Sequence, residues 1–138
     1  MSAPGVIVRI RGSVVDVRFP ESELPDIGEA LYAEQAGRRL VLEVQQHSDL
    51  GQVRCVALDY TEGLRRGQSI ERSGRCIHVP VGENMLGRLC NVLGEPIDNL
   101  PPPPPDTPTR PIYRAAPPLS SQGQVPQVFF TGIKVMKA

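Results

Sequence analysis

The first eighty residues carry a hydrophobic period of two, which restricts this part of the chain to strands with one buried face. In "VIVRIRG", Val6, Val8 and Ile10 share one face while Arg9 and Arg11 take the other. "SVVDVRF" sets Val15, Val17 and Phe19 against Asp16 and Arg18, and "LVLEVQQH" sets Leu40, Leu42 and Val44 against Glu43 and Gln45. "QVRCVAL" places Val53, Cys55 and Ala57 opposite Arg54, and "RCIHVPV" places Ile77, Val79 and Val81 opposite His78 and Pro80. Shorter strands are expected over 29–33 and 68–71. Turn chemistry separates these runs at Gly12-Ser13, Ser48-Asp49-Leu50-Gly51, Gly67-Gln68 and Ser73-Gly74. Six or seven short strands of this kind fit a small closed barrel, because closure leaves no unpaired edge. A partly open sandwich is the alternative.

The pattern changes after residue 81. "VGENMLGRL", residues 81–89, is a near miss for the phosphate-binding G-x-x-x-x-G-K-[ST], with Arg88 and Leu89 in the last two places. Such a loop works because helix N-terminal amides cradle the anion, a lysine reaches the terminal phosphates, and a hydroxyl holds Mg²⁺. Arg88 has a wider, differently placed head, and Leu89 cannot bind magnesium. The following Gly94-Glu95-Pro96 would also cut any helix short. The better reading is a single helical turn at "GENML" followed by a strand, "GRLCNVLG", that ends at Gly94.

Ten of the 15 prolines lie between Pro96 and Pro118. Proline lacks an amide donor and fixes φ, so this segment is expected to be an extended, polyproline-like connector. The tail "QVPQVFFTGIKVMKA" is apolar again and is expected to fold back on the barrel or pack on a neighbouring molecule. The sequence thus divides into a barrel domain over 1–80 and a second region over 81–138, with the connector at 96–118.

Charge argues against several functions. Acids and bases balance at 15 each, so no electrostatic footprint for nucleic acid or an anionic membrane stands out. Aromatics make up 4% and tryptophan is absent, which leaves few platforms for base stacking. Cys55, Cys76 and Cys90 form no C-x-x-C pair and are odd in number, so a reducing, cytoplasmic setting is expected rather than a disulfide framework. "MSAPGVIVRIRG" does not read as a signal peptide, and no apolar run is long enough to cross a bilayer as a helix.

Candidate chemistry is sparse. Cys76 and His78 could offer two metal ligands, but a surface histidine beside a half-buried cysteine is the better reading without ligand spacing elsewhere. Cys55 reads as a small core residue. Glu95 and Asp98 bracket Pro96 and read as a turn rather than a catalytic pair. Ser120-Ser121 sits in the connector, with no histidine in a nucleophile context. Arg65 and Arg66 occupy a turn, solvated or used in a subunit contact. The run 101–105 reads as a spacer rather than a ligand for an aromatic-lined groove. No catalytic, cofactor-binding or metal-binding residue is assigned.

The order of motifs says more than any one of them. "GSVVDVRF", "LPDIGEAL", "RLVLEVQQH", "VRCVALDYTEGLRRGQ", "VPVGENMLGRLCNVLGEPID" and "VFFTGIKV" follow one another. Together they resemble the N-terminal part of the β (catalytic) subunit of F-type ATP synthases, over residues 6–135. The stretches "TEGLRRGQ" and "VPVGENMLGRLCNVLGEPID" are the most specific. The resemblance implies a six-stranded barrel up to about residue 80 that joins α-type and β-type subunits in a crown ring. It implies that residues from Val81 onward begin the nucleotide-binding domain. The family's phosphate loop would follow "TGIKV", and here the sequence reaches Met136-Lys137-Ala138 first. The resemblance therefore implies a truncated subunit, peripheral to the membrane when assembled, in a complex that couples ion transport to ATP synthesis or hydrolysis. Mg·ATP and ADP are implied for the full-length family and not for this chain, which is expected neither to bind nor to hydrolyse ATP. A free-standing barrel that binds single-stranded nucleic acid or a peptide is the alternative.

Overall fold

A computed structural model describes residues 4–35, 37–48, 51–121, 123 and 128. Six antiparallel strands are β1 (Gly5–Arg11), β2 (Val14–Arg18), β3 (Glu29–Gln35), β4 (Arg38–Ser48), β5 (Gln52–Ala57) and β6 (Ser69–Cys76). They close into a barrel in the order β1-β2-β5-β4-β3-β6, so β6 returns to pair with β1. A separate two-stranded ribbon follows, from β7 (His78–Pro80) and β8 (Thr109–Pro111). The expected closed six-stranded barrel is therefore present, and no described residue is in an α-helix.

The inward rows supply the reason for closure. Val15, Val17 and Phe19 of the second strand region meet Leu40, Leu42 and Val44 of β4 and Val53, Cys55 and Ala57 of β5 in one core. Leu31 and Ala33 of β3, with Ile70 of β6, complete the ring of buried side chains. Each fully buried side chain of this size contributes roughly 1.5–3 kcal/mol relative to exposure.

The first strand departs from its expected phase. Ile7 is the core residue, 1% exposed, whereas Val6 is 44% exposed. The cause is a β-bulge: Ile7 pairs with Val17 but Arg9 pairs with Asp16, so two steps on β1 match one on β2. One extra residue at Val8 exchanges the two faces, because side-chain direction has a period of two. Beyond the bulge the sequence phase is correct. Ile10 pairs with Val15 and packs against the core, and Arg9 and Arg11 point outward.

Ser73-Gly74 also differs from expectation. It is not a turn between strands but a bulge inside β6, where Glu29 pairs with Cys76 and Leu31 with Arg72. Gly74 takes φ of 69°, a left-handed value that glycine adopts without steric cost. Its N–H donates to Glu29 Oε1 at 3.0 Å. Glu29 is buried and also receives Arg72 Nε and Nη2, at 3.0 and 2.8 Å, and the Asp26 N–H at 3.1 Å. Burial works against its charge, but the bonds from Arg72, Gly74 and Asp26 outweigh it and hold the carboxyl below its ordinary value.

"RCIHVPV" is split accordingly: β6 ends at Cys76 and the chain leaves the barrel there. "GRLCNVLG" is not a strand to Gly94. Only Cys90 forms an isolated bridge, to Pro96, around a tight turn closed by Gly94 N–H to Asn91 C=O at 3.0 Å. The proline-rich span contains one short strand, β8, and is tied down there. Thr109–Pro111 pairs with His78–Pro80, and the Val81 N–H donates to Pro108 C=O at 2.8 Å. Two prolines fit a ribbon this short because neither lies in a central strand. The apolar tail, apart from the exposed Val128, lies outside the described residues.

The bulge gives a direct test. Ile7→Ala is expected to lower unfolding free energy by about 2–5 kcal/mol and Val6→Ala by well under 1 kcal/mol, measured by urea denaturation. The simple alternation would place the larger loss at Val6.

Candidate functional site

The barrel interior is filled by side chains, and a second cluster lies on its outer surface. Two outward residues of the β3–β4 pair are unexpectedly shielded: Ala30 is 2% exposed and Val41 is 9% exposed. They are covered by the chain that follows the barrel. Ile77, Val79 and Leu93 pack on this face together with Tyr32 and Leu58 to form a second apolar cluster. The margin of that cluster is polar. Glu43, on the outward face of β4 and buried, accepts from the Tyr113 hydroxyl at Oε1 and from Gln45 Nε2 at Oε2, the latter at 2.8 Å. Its hydrogen bond to the Glu43 carboxylate raises the Tyr113 hydroxyl above its ordinary pKa.

The stretch 81–89 shows its actual role here. Gly82, with φ of 114°, turns the chain into a 3-10 turn over Glu83–Met85. After that turn Arg88 donates to Asp98 twice, from Nε to Oδ2 at 2.6 Å and from Nη2 to Oδ1 at 3.0 Å. Asp98 also receives the Leu89 N–H at 3.3 Å and the Leu100 N–H at 3.1 Å. Both charged side chains are 12% exposed. The Arg88 bonds hold the Asp98 carboxyl well below the usual carboxylate range. The pair clamps the base of a small loop. The Ile97 N–H reaches Leu89 C=O at 2.8 Å, and Asn91 Oδ1 accepts from Leu93 and Glu95 N–H, both at 2.9 Å. Arg88 is thus engaged by a carboxylate, and no phosphate cradle is formed.

The other residues singled out from the sequence stay apart or serve the backbone. His78 Nδ1 donates to Cys76 C=O at 2.9 Å, and both line a depression of ≈ 210 Å³ with Tyr32, Arg39, Arg75 and Glu95. Among the described residues no three His, Cys, Asp or Glu side chains are grouped to hold a metal ion. Cys55 is fully buried in the barrel core, and that burial, with nearby Asp16 adding to it, pushes its thiol up to about 12. Glu95 and Asp98 serve separate parts of one turn, Glu95 Oε2 accepting from Asn91 Nδ2 at 2.8 Å. Arg65 and Arg66 are exposed in the loop before β6, and Ser121 Oγ donates to Pro118 C=O at 2.8 Å. Most of 101–105 is exposed.

Sequence reasoning missed three contacts: Glu29 with Arg72, Glu43 with Tyr113, and Arg88 with Asp98. Only the last had a local signal, since opposite charges ten residues apart bracket the Gly94-Glu95-Pro96 turn. The other two span 43 and 70 residues.

The closed six-stranded barrel has a known counterpart. Residues 7–74 match the β-barrel domain of the ATP synthase alpha/beta family, and the chain belongs to that family through this domain. Over 133 residues it is also 50% identical to ATP synthase subunit beta 3 of Paraburkholderia xenovorans (strain LB400). That similarity covers 96% of this chain and 27% of the relative, so the chain spans about a quarter of the relative's length.

The clamp is testable through pH. A depressed Asp98 pKa contributes stability that is complete above its unfolded value of about 3.9 and lost as pH falls through the folded value. Hydrogen exchange at the Leu89 and Leu100 amides is expected to speed up on acidification beyond the intrinsic pH trend. In Asp98→Asn both amides exchange fast at pH 7 already, with no further acid-induced loss of protection.

Proposed function

We propose that this chain is the barrel-bearing assembly module of an ATP synthase β-type subunit. Its barrel seats against α-type and β-type neighbours in a ring, at the periphery of a membrane-bound, ion-coupled complex in the cytoplasm. The observation that carries this reading is the closed barrel itself, whose residues 7–74 match the family's barrel domain. A filled interior offers no ligand cavity, so the barrel's use lies in surfaces presented to other chains.

Mg·ATP, which the family implies for a whole β subunit, does not fit residues 82–89. Arg88 is held bidentately by Asp98, Leu89 has no hydroxyl, and the turn is only three residues long. The chemistry of ATP synthesis and hydrolysis is accordingly proposed for the parent subunit, not for these residues. Among the described residues no helix is long and apolar enough to cross a membrane.

Two measurements test the reading. Co-expressed with an α-type subunit of an ATP synthase, the chain is expected to co-elute as a hetero-oligomer in size-exclusion chromatography. Separate elution at tens of micromolar would overturn the assembly role. Titration calorimetry with Mg·ATP is expected to give no binding heat, and a micromolar affinity would contradict the assignment of nucleotide chemistry elsewhere.

A further inference from the structure

The barrel closes without help from the residues that follow it. β6 pairs with β1, and neither β7 nor β8 belongs to the barrel ladder. Residues 77–113 therefore lie across the β3–β4 face as a strap with bonds of its own. The Ile112 N–H donates to Ile77 C=O at 3.0 Å and the Val81 N–H to Pro108 C=O at 2.8 Å, while Arg88 and Asp98 close the loop between them. The strap meets the barrel through a small apolar contact, Ile77, Val79 and Leu93 on Ala30 and Val41, and through a polar one at its far end.

That far end is Tyr113. Its ring lies so close to Gly28 that a Cβ there would stand 3.2 Å from Tyr113 Cε2. Its hydroxyl donates to Glu43 Oε1, and Gln45 Nε2 donates to the other oxygen of the same carboxylate. Glu43 is 7% exposed whereas Tyr113 is 55% exposed, so the bond is made against the barrel while water reaches the ring from outside. A contact open to water on one side can part locally, without the rest of the structure unfolding.

We infer that residues 77–113 are a releasable strap, which lifts from the β3–β4 face while the barrel stays folded, and that the Tyr113–Glu43 bond is its latch. No rung of the barrel ladder involves the strap, so lifting it gives up the apolar contact and the latch but not the barrel. Glu43 keeps Gln45 as a partner, and water takes the place of the tyrosine hydroxyl. The latch thereby decides whether the chain that follows Tyr113 is held against the barrel or swings free of it. The strap does not depend on the assembly reading above. The titratable groups facing the Tyr113 hydroxyl are Glu43 from β4 and Cys76 from β6, and the turn before β3 presents the uncharged Gly28. The bond to Glu43, then desolvation and the charges of Glu43 and Cys76, disfavour the tyrosinate against a smaller opposing bond from Gln45. The latch is therefore complete below the ordinary tyrosine value of about 10 and is lost as pH rises through the raised folded value.

Native-state hydrogen exchange of the full chain is the test. The Val81 and Ile112 amides are expected to be less protected than the ladder amides of β2 and β5, because a two-stranded ribbon does not hold alone once lifted. Tyr113→Phe keeps the ring and removes the hydroxyl. It is expected to lower protection at Val81 and Ile112 together by about tenfold and to leave β2 and β5 unchanged. In Glu43→Gln the Tyr113 titration, followed by its ring ¹³Cζ shift, is expected to move down toward the ordinary value of about 10. Equal protection of strap and barrel in the unaltered chain, unchanged protection in Tyr113→Phe, or a loss shared equally by β2 and β5 would overturn the inference. A Tyr113 titration that does not move in Glu43→Gln would remove this bond as the latch.

Discussion

Everything beyond the barrel depends on how one buried carboxylate, Glu29, is satisfied. An isolated carboxylate in a barrel wall costs several kcal/mol, and it persists only if its lone pairs are filled. Arg72 meets it with both arms of its fork, and the backbone amides of Asp26 and Gly74 complete the shell. To bring the Gly74 amide there, β6 must bulge. The bulge ends the pairing with β3 at Cys76 and directs Ile77 out across the β3–β4 face. The position of the post-barrel segment is thus set by a charge at the start of β3.

Once directed there, that segment is held by apolar contact in the middle and by hydrogen bonds at its margins. Ala30 and Val41 are outward residues that would otherwise be exposed, and Ile77, Val79 and Leu93 remove them from water. Tyr113 then fixes the far end of the segment to Glu43, and Arg88 with Asp98 keeps the intervening loop closed. The proline-rich stretch between Asp98 and Thr109 needs little further support, because proline restricts its own backbone and both its ends are anchored. One side of the barrel is consequently covered from within the chain.

Legibility in the sequence tracked the range of the interaction. The rows Val15, Val17, Phe19 and Leu40, Leu42, Val44 were readable because side-chain alternation is local and the register shift of β4 comes only after Val44. The same rule failed at Val6 and Ile7 because a bulge adds a residue that no composition signal marks. It failed at Ser73-Gly74 because glycine beside serine serves a turn and a bulge equally well. Cys55 was readable as core from its phase, whereas Glu29 and Glu43 looked like ordinary strand carboxylates. Nothing within their own neighbourhoods indicates Arg72 or Tyr113.

The sequence by itself determined a barrel of short strands, a core drawn from its alternating valines and leucines, and a phosphate-like stretch that lacks the groups to hold phosphate. It also carried the family, through the order of its motifs. Tertiary structure alone decided that the chain folds back over the β3–β4 face, that Arg88 is bound by Asp98, and that Glu29 is met by Arg72. The physical reason is that alternation is written in neighbouring residues. Which outer face is covered depends on strand order around the barrel and on bulges, and these are settled only when distant strands pair.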